Sequence, residues 1–178
     1  QDASVGYQFT FVDMDLKDHS KDGLVYISAN KATYDRQEGS VFLENPEIRS
    51  TDKDNSDQWR ANGRFGVATV QQRGNLFPSS LGDVRLASDV VIAQPAANRI
   101  LSTSGVVSYL FKEQILVSKD RAFVRDKVRQ TTMTGFLMGT IGERQVLLQG
   151  DTVDDMVARY RKLRNLREKQ AQEGGTGE

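Results

Sequence analysis

The feature that most constrains this chain is a two-residue alternation of apolar and polar side chains from roughly Tyr7 to Gln149. Tyr7, Phe9 and Phe11 begin it, and Val25, Ile27 and Ala29 repeat it. Val41 with Leu43, Trp59 with Ala61, Val90 with Ile92, Leu101 with Thr103, Val107 with Tyr109, Ile115 with Val117 and Leu137 with Ile141 continue it. Period two is the repeat of a strand, whose successive side chains point to opposite faces. Turn-forming clusters interrupt the ladder at Asp22-Gly23, Gln37-Glu38-Gly39, Asn62-Gly63, Arg73-Gly74-Asn75 and Pro95-Ala96-Ala97-Asn98. Connections this short join antiparallel strands, because a parallel crossover needs about a dozen residues or more. The expected class is therefore all-β: a sandwich, barrel or jelly roll. The phase slips once, between Ala29 and the pair Ala32 and Tyr34. Either a β-bulge or a strand end at Asn30 accounts for that slip.

After Gly150 the period changes. Val153, Met156, Val157, Tyr160 and Leu163 fall at helical spacing and make one apolar stripe. Thr152 stands at the N-cap, with Asp155 near the capping-box position. Asp151, Asp154 and Asp155 sit at the positive end of the helix dipole, and the basic residues from Arg159 to Lys169 follow toward its negative end. The chain divides into a β domain over residues 1–150, an amphipathic helix over 151–170 and a flexible glycine-rich tail over 171–178.

Acidic and basic residues balance at 24 each, which argues against a general nucleic-acid binder. With no cysteine there is neither a disulfide framework nor a thiolate metal site. The one histidine, His19, lies in the polar stretch Asp15–Lys21 and reads as a solvated loop residue; no second histidine is available to share a metal. No serine stands in a nucleophile-elbow context, and Gly135-Phe136-Leu137-Met138-Gly139 lacks the ending of a phosphate-binding loop. The carboxylates cluster at Asp52–Asp57 and Asp151–Asp155, where a turn and a helix start explain them. The expectation is a binding protein, with no catalytic residues, no cofactor and no metal. Trp59, alternating with polar neighbours, is expected to point inward.

An ordered set of segments resembles one family. Ile27 to Tyr34, then Phe42 to Ile48 with its Asn45-Pro46 turn, then Trp59-Arg60-Ala61, then Leu86 to Ile92, then Leu101-Ser102-Thr103 and Val107-Ser108-Tyr109 resemble LptC, the membrane-anchored periplasmic component of the lipopolysaccharide transport bridge. The resemblance covers roughly Leu24 to Leu148 and rests on the order of the segments, since no single motif is specific. Ser88 stands where that superfamily usually has glycine, and the segment Gln71–Ser80 is longer than the usual turn.

The resemblance implies an open antiparallel β-jelly roll that holds the acyl chains of lipopolysaccharide in an apolar trough. The lining expected on that basis is Ile27, Ala29, Leu43, Ile48, Trp59, Phe65, Val90, Ile92, Val107, Tyr109, Val117 and Val124. It implies two partners reached by edge-strand pairing: the inner-membrane ABC-type transporter at the N-terminal edge, and the next periplasmic bridge protein at the C-terminal edge. It also implies a periplasmic location, with a tether to the inner membrane supplied by an N-terminal segment outside this chain. Three other readings compete. One is a soluble bridge protein or the N-terminal domain of the outer-membrane member; the C-terminal helix, expected to crowd the last edge, weighs against the soluble bridge. Another is a carbohydrate-binding or carbohydrate-active jelly roll, which needs exposed aromatics and a carboxylate pair in a groove. The third gives the basic helix face a role on anionic lipid, against packing of its apolar stripe on the sheet.

Overall fold

The computed structural model describes residues 7–9, 16–20, 23–71 and 80–174. The alternating ladder forms strands β1 (Tyr7–Phe9), β2 (Leu16–Ser20), β3 (Gly23–Ser28), β4 (Lys31–Asp35), β5 (Ser40–Glu44), β6 (Glu47–Asp52), β7 (Asp57–Asn62) and β8 (Phe65–Gln71). It continues through β9 (Ser80–Ala87), β10 (Val90–Gln94), β11 (Arg99–Thr103), β12 (Val107–Leu110), β13 (Ile115–Arg125), β14 (Gln130–Ile141) and β15 (Arg144–Gln149). Every described pairing is antiparallel. Helix α1 (Val153–Gly174) follows.

The pairing order explains the architecture. It runs β1-β4-β5-β8-β9-β12-β13-β11-β10-β7-β6-β3-β2, with β14 on β13 and β15 on β14. Strands that follow each other in sequence, such as β3 and β4 or β5 and β6, lie far apart in this order. Each such pair is one run of chain that turns a corner and passes from one leaf of the sheet to the other. β1, β4, β5, β8, β9 and β12 form the first leaf; β2, β3, β6, β7, β10 and β11 form the second. The start of β13 pairs with β12 and its end with β11, so this one strand spans both leaves. The result is a curled half-barrel, an open jelly roll, as the alternation and the resemblance lead one to expect.

The corners are stitched together by backbone hydrogen bonds. Asn30 N donates to Glu44 O at 3.0 Å, Asn45 N to Arg64 O at 2.8 Å, and Arg64 N to Ser88 O at 3.0 Å. The phase slip after Ala29 is such a corner. β3 ends at Ser28, the chain changes leaf at Asn30, and both Ala29 and Ala32 stay buried. It is a strand end, with no bulge. Bulges or irregularities lie elsewhere, between Ser50 and Thr51, Ala68 and Val70, and Ser118 and Arg121. Several corners need a left-handed residue: φ is +50° at Asn45, +65° at Ser88 and +54° at Asp89. Asparagine and aspartate tolerate this conformation; a serine there costs about 1–2 kcal/mol. That is the physical reason a glycine suits position 88. The serine still permits the close approach of Arg64 to its carbonyl.

His19 lies within β2, opposite Leu24 of β3, so the loop expected for it is corrected to a strand. Arg73-Gly74-Asn75 lies outside the described residues. Helix α1 also runs further than expected, to Gly174, so the flexible tail does not begin at 171.

Two apolar cores result. The larger lies between the leaves. The smaller lies on the opposite face of β13 and β14, where α1 seats Met156, Val157 and Tyr160 against Ile115, Val117, Leu137 and Ile141. Thr152 caps the helix: its Oγ1 accepts from Asp155 N at 3.1 Å. Two glycines of β14 make room. At Gly135 φ is +81°, and a Cβ would meet the Gly150 carbonyl oxygen at 2.2 Å. At Gly139 a Cβ would press on Ile115 and Tyr160. The glycine pair rejected as a phosphate loop is thus a seat for the helix.

Candidate functional site: an apolar interior between two leaves

The site expected from the sequence is the inner surface of the folded sheet. Ile27, Ala29, Leu43, Ile48, Trp59, Val90, Ile92, Val107, Tyr109 and Val124 all lie there, buried in one continuous cluster. They come from both leaves. The Trp59 ring, on the second leaf, packs against the Tyr109 ring of the first, with centroids 5.8 Å apart. Period two delivers this surface, because each strand contributes every other residue to it. Trp59 is inward, as its alternation with polar neighbours predicts.

Two expected lining residues are elsewhere. Phe65 is 42% exposed and stacks on Phe42 on the outer side of the first leaf. In β8 the small residues Gly66 and Ala68 face inward, and the bulky Phe65 and Val67 face out. The reason is space: a Cβ on Gly66 would sit 3.1 Å from the Pro46 ring and 3.4 Å from Leu86. Hydrophobicity alone therefore selects the wrong face of this strand. Val117 is buried, but in the smaller core beneath α1. Its neighbours Ile115 and Leu116 are buried too, so this stretch has no alternation to read. Leu116, not Val117, joins the inner surface.

Tyr34, Val41, Val84, Leu86, Phe136 and Met138, which are not in the lining implied by the resemblance, also face the interior. Val84 and Leu86 alternate with Asp83 and Arg85, a signal that was there to be used. Phe136 and Met138 flank Leu137 in a run buried on both faces, where no such signal exists.

No protein-family model matches this sequence, and no curated protein is similar to it. Function must therefore be argued from the geometry. The cluster between the leaves consists of aliphatic, aromatic and methionine side chains, a surface suited to hydrocarbon. No group of three or more histidine, aspartate or glutamate residues among those described is placed to hold a metal ion.

At one end the interior meets polar groups. A cavity of about 180 Å³ reaches Trp59 and is lined by Gln58, Glu113, Gln114, Thr140, Tyr160 and Arg164. The Tyr160 hydroxyl donates to Thr140 O at 2.8 Å, and burial pushes its pKa up. Glu113, only 7% exposed, receives Arg161 Nε at 2.9 Å and lies 3.6 Å from an Arg164 nitrogen. The hydrogen bonds from Arg161 hold the Glu113 carboxyl below its ordinary range, against the opposing effect of burial. This pair ties α1 to the turn between β12 and β13.

The linkage has a definite sign. A carboxylate with a depressed folded pKa adds stability above its unfolded pKa and loses it as pH falls through the folded value. Glu113→Gln is expected to lower stability by about 1 kcal/mol at neutral pH, the guanidinium being half exposed to solvent. The gap between wild type and variant should close as the medium is acidified. Urea unfolding at a series of pH values checks this; a gap independent of pH would mean that the carboxylate charge is not what holds the helix.

The helix covers a face of the sheet and also touches its last strand, where an Arg159 guanidinium nitrogen donates to Gln149 O of β15 at 2.7 Å. β15 pairs only with β14, so its outer edge carries no described strand partner. The hydrogen bond from Arg159 lies at the last residue of β15. In the apolar stripe of the helix Met156, Val157 and Tyr160 are buried, Val153 is half-buried and Leu163 is 42% exposed.

Proposed function

We propose that this protein binds the acyl chains of a lipid between its two leaves and passes them along a bridge of similar domains. The resemblance to the LptC family makes that lipid lipopolysaccharide, and makes the neighbours the inner-membrane ABC-type transporter and the next periplasmic bridge protein. The observation that carries the reading is an apolar interior inside an unclosed sheet. β1 and β2 stand at the two ends of the pairing order, and no described backbone pairing joins them. Parting the leaves along that side would separate side chains and break no described ladder.

An acyl chain entering there would replace the contacts the leaves make with each other. Each buried methylene contributes about 0.8 kcal/mol and carries no directional demand, so a chain can slide along the surface. The free edges supply the docking chemistry. β1 and β2 lie at the N-terminal end and β15 at the C-terminal end, and an unpaired edge offers N–H and C=O groups to a strand from a neighbouring domain. The tryptophan that a carbohydrate site would need exposed is buried.

Photoreactive side chains at Ile27, Trp59 and Tyr109, introduced one at a time in cells, test the reading. Adducts with lipopolysaccharide are expected from each of the three inward positions and from none at the outward position Phe65. A folded, expressed protein giving no adduct at any inward position would overturn the proposal.

A further inference from the structure

We infer that the outer face of the second leaf, with the hairpin that joins β13 to β14, docks on an anionic lipid surface. This face is turned away from the interior, and the inference stands apart from the function proposed for that interior. Val91 lies opposite Ser102, and Ser102 opposite Phe123; one row along, Ala93 lies opposite Ile100, and Ile100 opposite Arg125. Across β10, β11 and β13 neither row contains a carboxylate; the first reaches Glu47 only at β6, beyond Asn62, where Glu47 is ion-paired with Arg60. Ile100 is 50% exposed and Phe123 62%. At the hairpin tip Val128 is 87% exposed, between Lys127 and Arg129. Single exposed apolar side chains are ordinary, but these occupy neighbouring register positions and continue onto a protruding tip.

The charge is segregated as well. The whole chain balances at 24 acidic and 24 basic residues, yet Arg121, Arg125, Lys127 and Arg129 gather along this hairpin. None of the four makes an ion pair among the described residues. The acids beside these cations are engaged at the backbone: Asp126 Oδ1 accepts from Val128 N at 2.9 Å and from Arg129 N at 2.7 Å, and Asp120 Oδ2 accepts from Val106 N at 2.9 Å. The Asp126 bonds fix the turn and hold Val128 outward between its two cations. Such a tip suits a bilayer surface, where the apolar side chain enters the acyl boundary and the cations meet phosphates. A purely charged patch would fit an acidic protein equally well; the interleaved valine and phenylalanine favour lipid.

The experiment is co-sedimentation of the intact chain with two kinds of vesicle: phosphatidylcholine alone, and equal parts phosphatidylcholine and phosphatidylglycerol. Binding is expected only to the second and is expected to weaken with salt. The double variant Lys127→Ala with Arg129→Ala should bind roughly thirtyfold more weakly, from about fivefold for each cation near the surface. Val128→Ser and Phe123→Ser should each weaken binding several-fold, and all these positions are exposed enough to leave folding intact. Equal binding to both vesicles, no binding to either, or binding unchanged in the hairpin variants would overturn the inference. Hairpin-dependent binding to polyglutamate, with Val128→Ser and Phe123→Ser without effect, would overturn it in favour of an acidic polypeptide.

Discussion

Trp59→Ala is expected to destabilise the protein by about 3–5 kcal/mol. Trp59 is among the largest fully buried side chains, and it bridges the leaves through Tyr109. Its removal costs the transfer free energy of the indole and leaves a void that the neighbouring strands, held in their ladders, cannot wholly close. The measurement is urea unfolding, with a shift in midpoint at constant slope. Trp59→Phe keeps a ring against Tyr109 and should lose less than half as much. The same pair bears on function. If the leaves part to admit acyl chains, the void in Trp59→Ala offers more room to hydrocarbon, and a bound single-chain lipid should recover part of the lost stability. A loss below about 1 kcal/mol would show that the leaves are not packed on one another at this point.

Gly135→Ala is the second large effect. The new methyl group would collide with the Gly150 carbonyl at 2.2 Å, a backbone atom that no rotamer change can move. The residue must also hold φ at +81°. The left-handed conformation alone costs about 1–2 kcal/mol, and the forced backbone shift raises the total to about 3 kcal/mol. Gly39→Ala is the control. It shares a positive φ of +62° but has nothing within 4 Å of the added carbon, so it should lose only about 1 kcal/mol. The difference between the two variants isolates the collision. Because Gly150 leads into α1, hydrogen exchange should rise along Val153–Gly174 in Gly135→Ala and stay unchanged in Gly39→Ala. Equal losses in the two variants would mean that β14 and the start of the helix separate freely.

The candidate site was legible in the sequence where strands have one buried face and one wet face. Ile27, Leu43, Ile48, Val90, Val107 and Tyr109 each have a polar neighbour in sequence and face inward as that pattern predicts. The reading failed at two places for different reasons. In β8 the inner face is filled by small residues, since Pro46 and Leu86 already occupy the space over Gly66. The bulkier outward residue, Phe65, was then mistaken for lining. In β13 and β14 both faces are buried, one by the opposite leaf and one by α1. A strand covered on two sides carries no alternation, so period two cannot show that Val117 faces α1 while Phe136 and Met138 face the opposite leaf.

The corners were visible in part. The slip at Ala29, the Asn45-Pro46 turn and the left-handed demand at Ser88 all left marks in the sequence. What those marks meant was not readable locally. Asn62-Gly63 has the composition of a hairpin turn, yet it joins β7 in one leaf to β8 in the other. A hairpin and a corner use the same residues, because both need a sharp change of direction. Which one forms depends on whether the flanking strands find each other or find partners further along the chain.

By itself, then, the sequence determined the class of fold, the antiparallel pairing, the inward face of most strands and the capped helix after Gly150. These follow from side-chain period and local backbone preference, which act over a few residues. Only the tertiary structure decided that one sheet folds into two leaves, that α1 covers a face of β13 and β14, and that Glu113 is fastened to Arg161. Those depend on contacts between residues far apart in the chain, where space already filled by one segment dictates what another can place there.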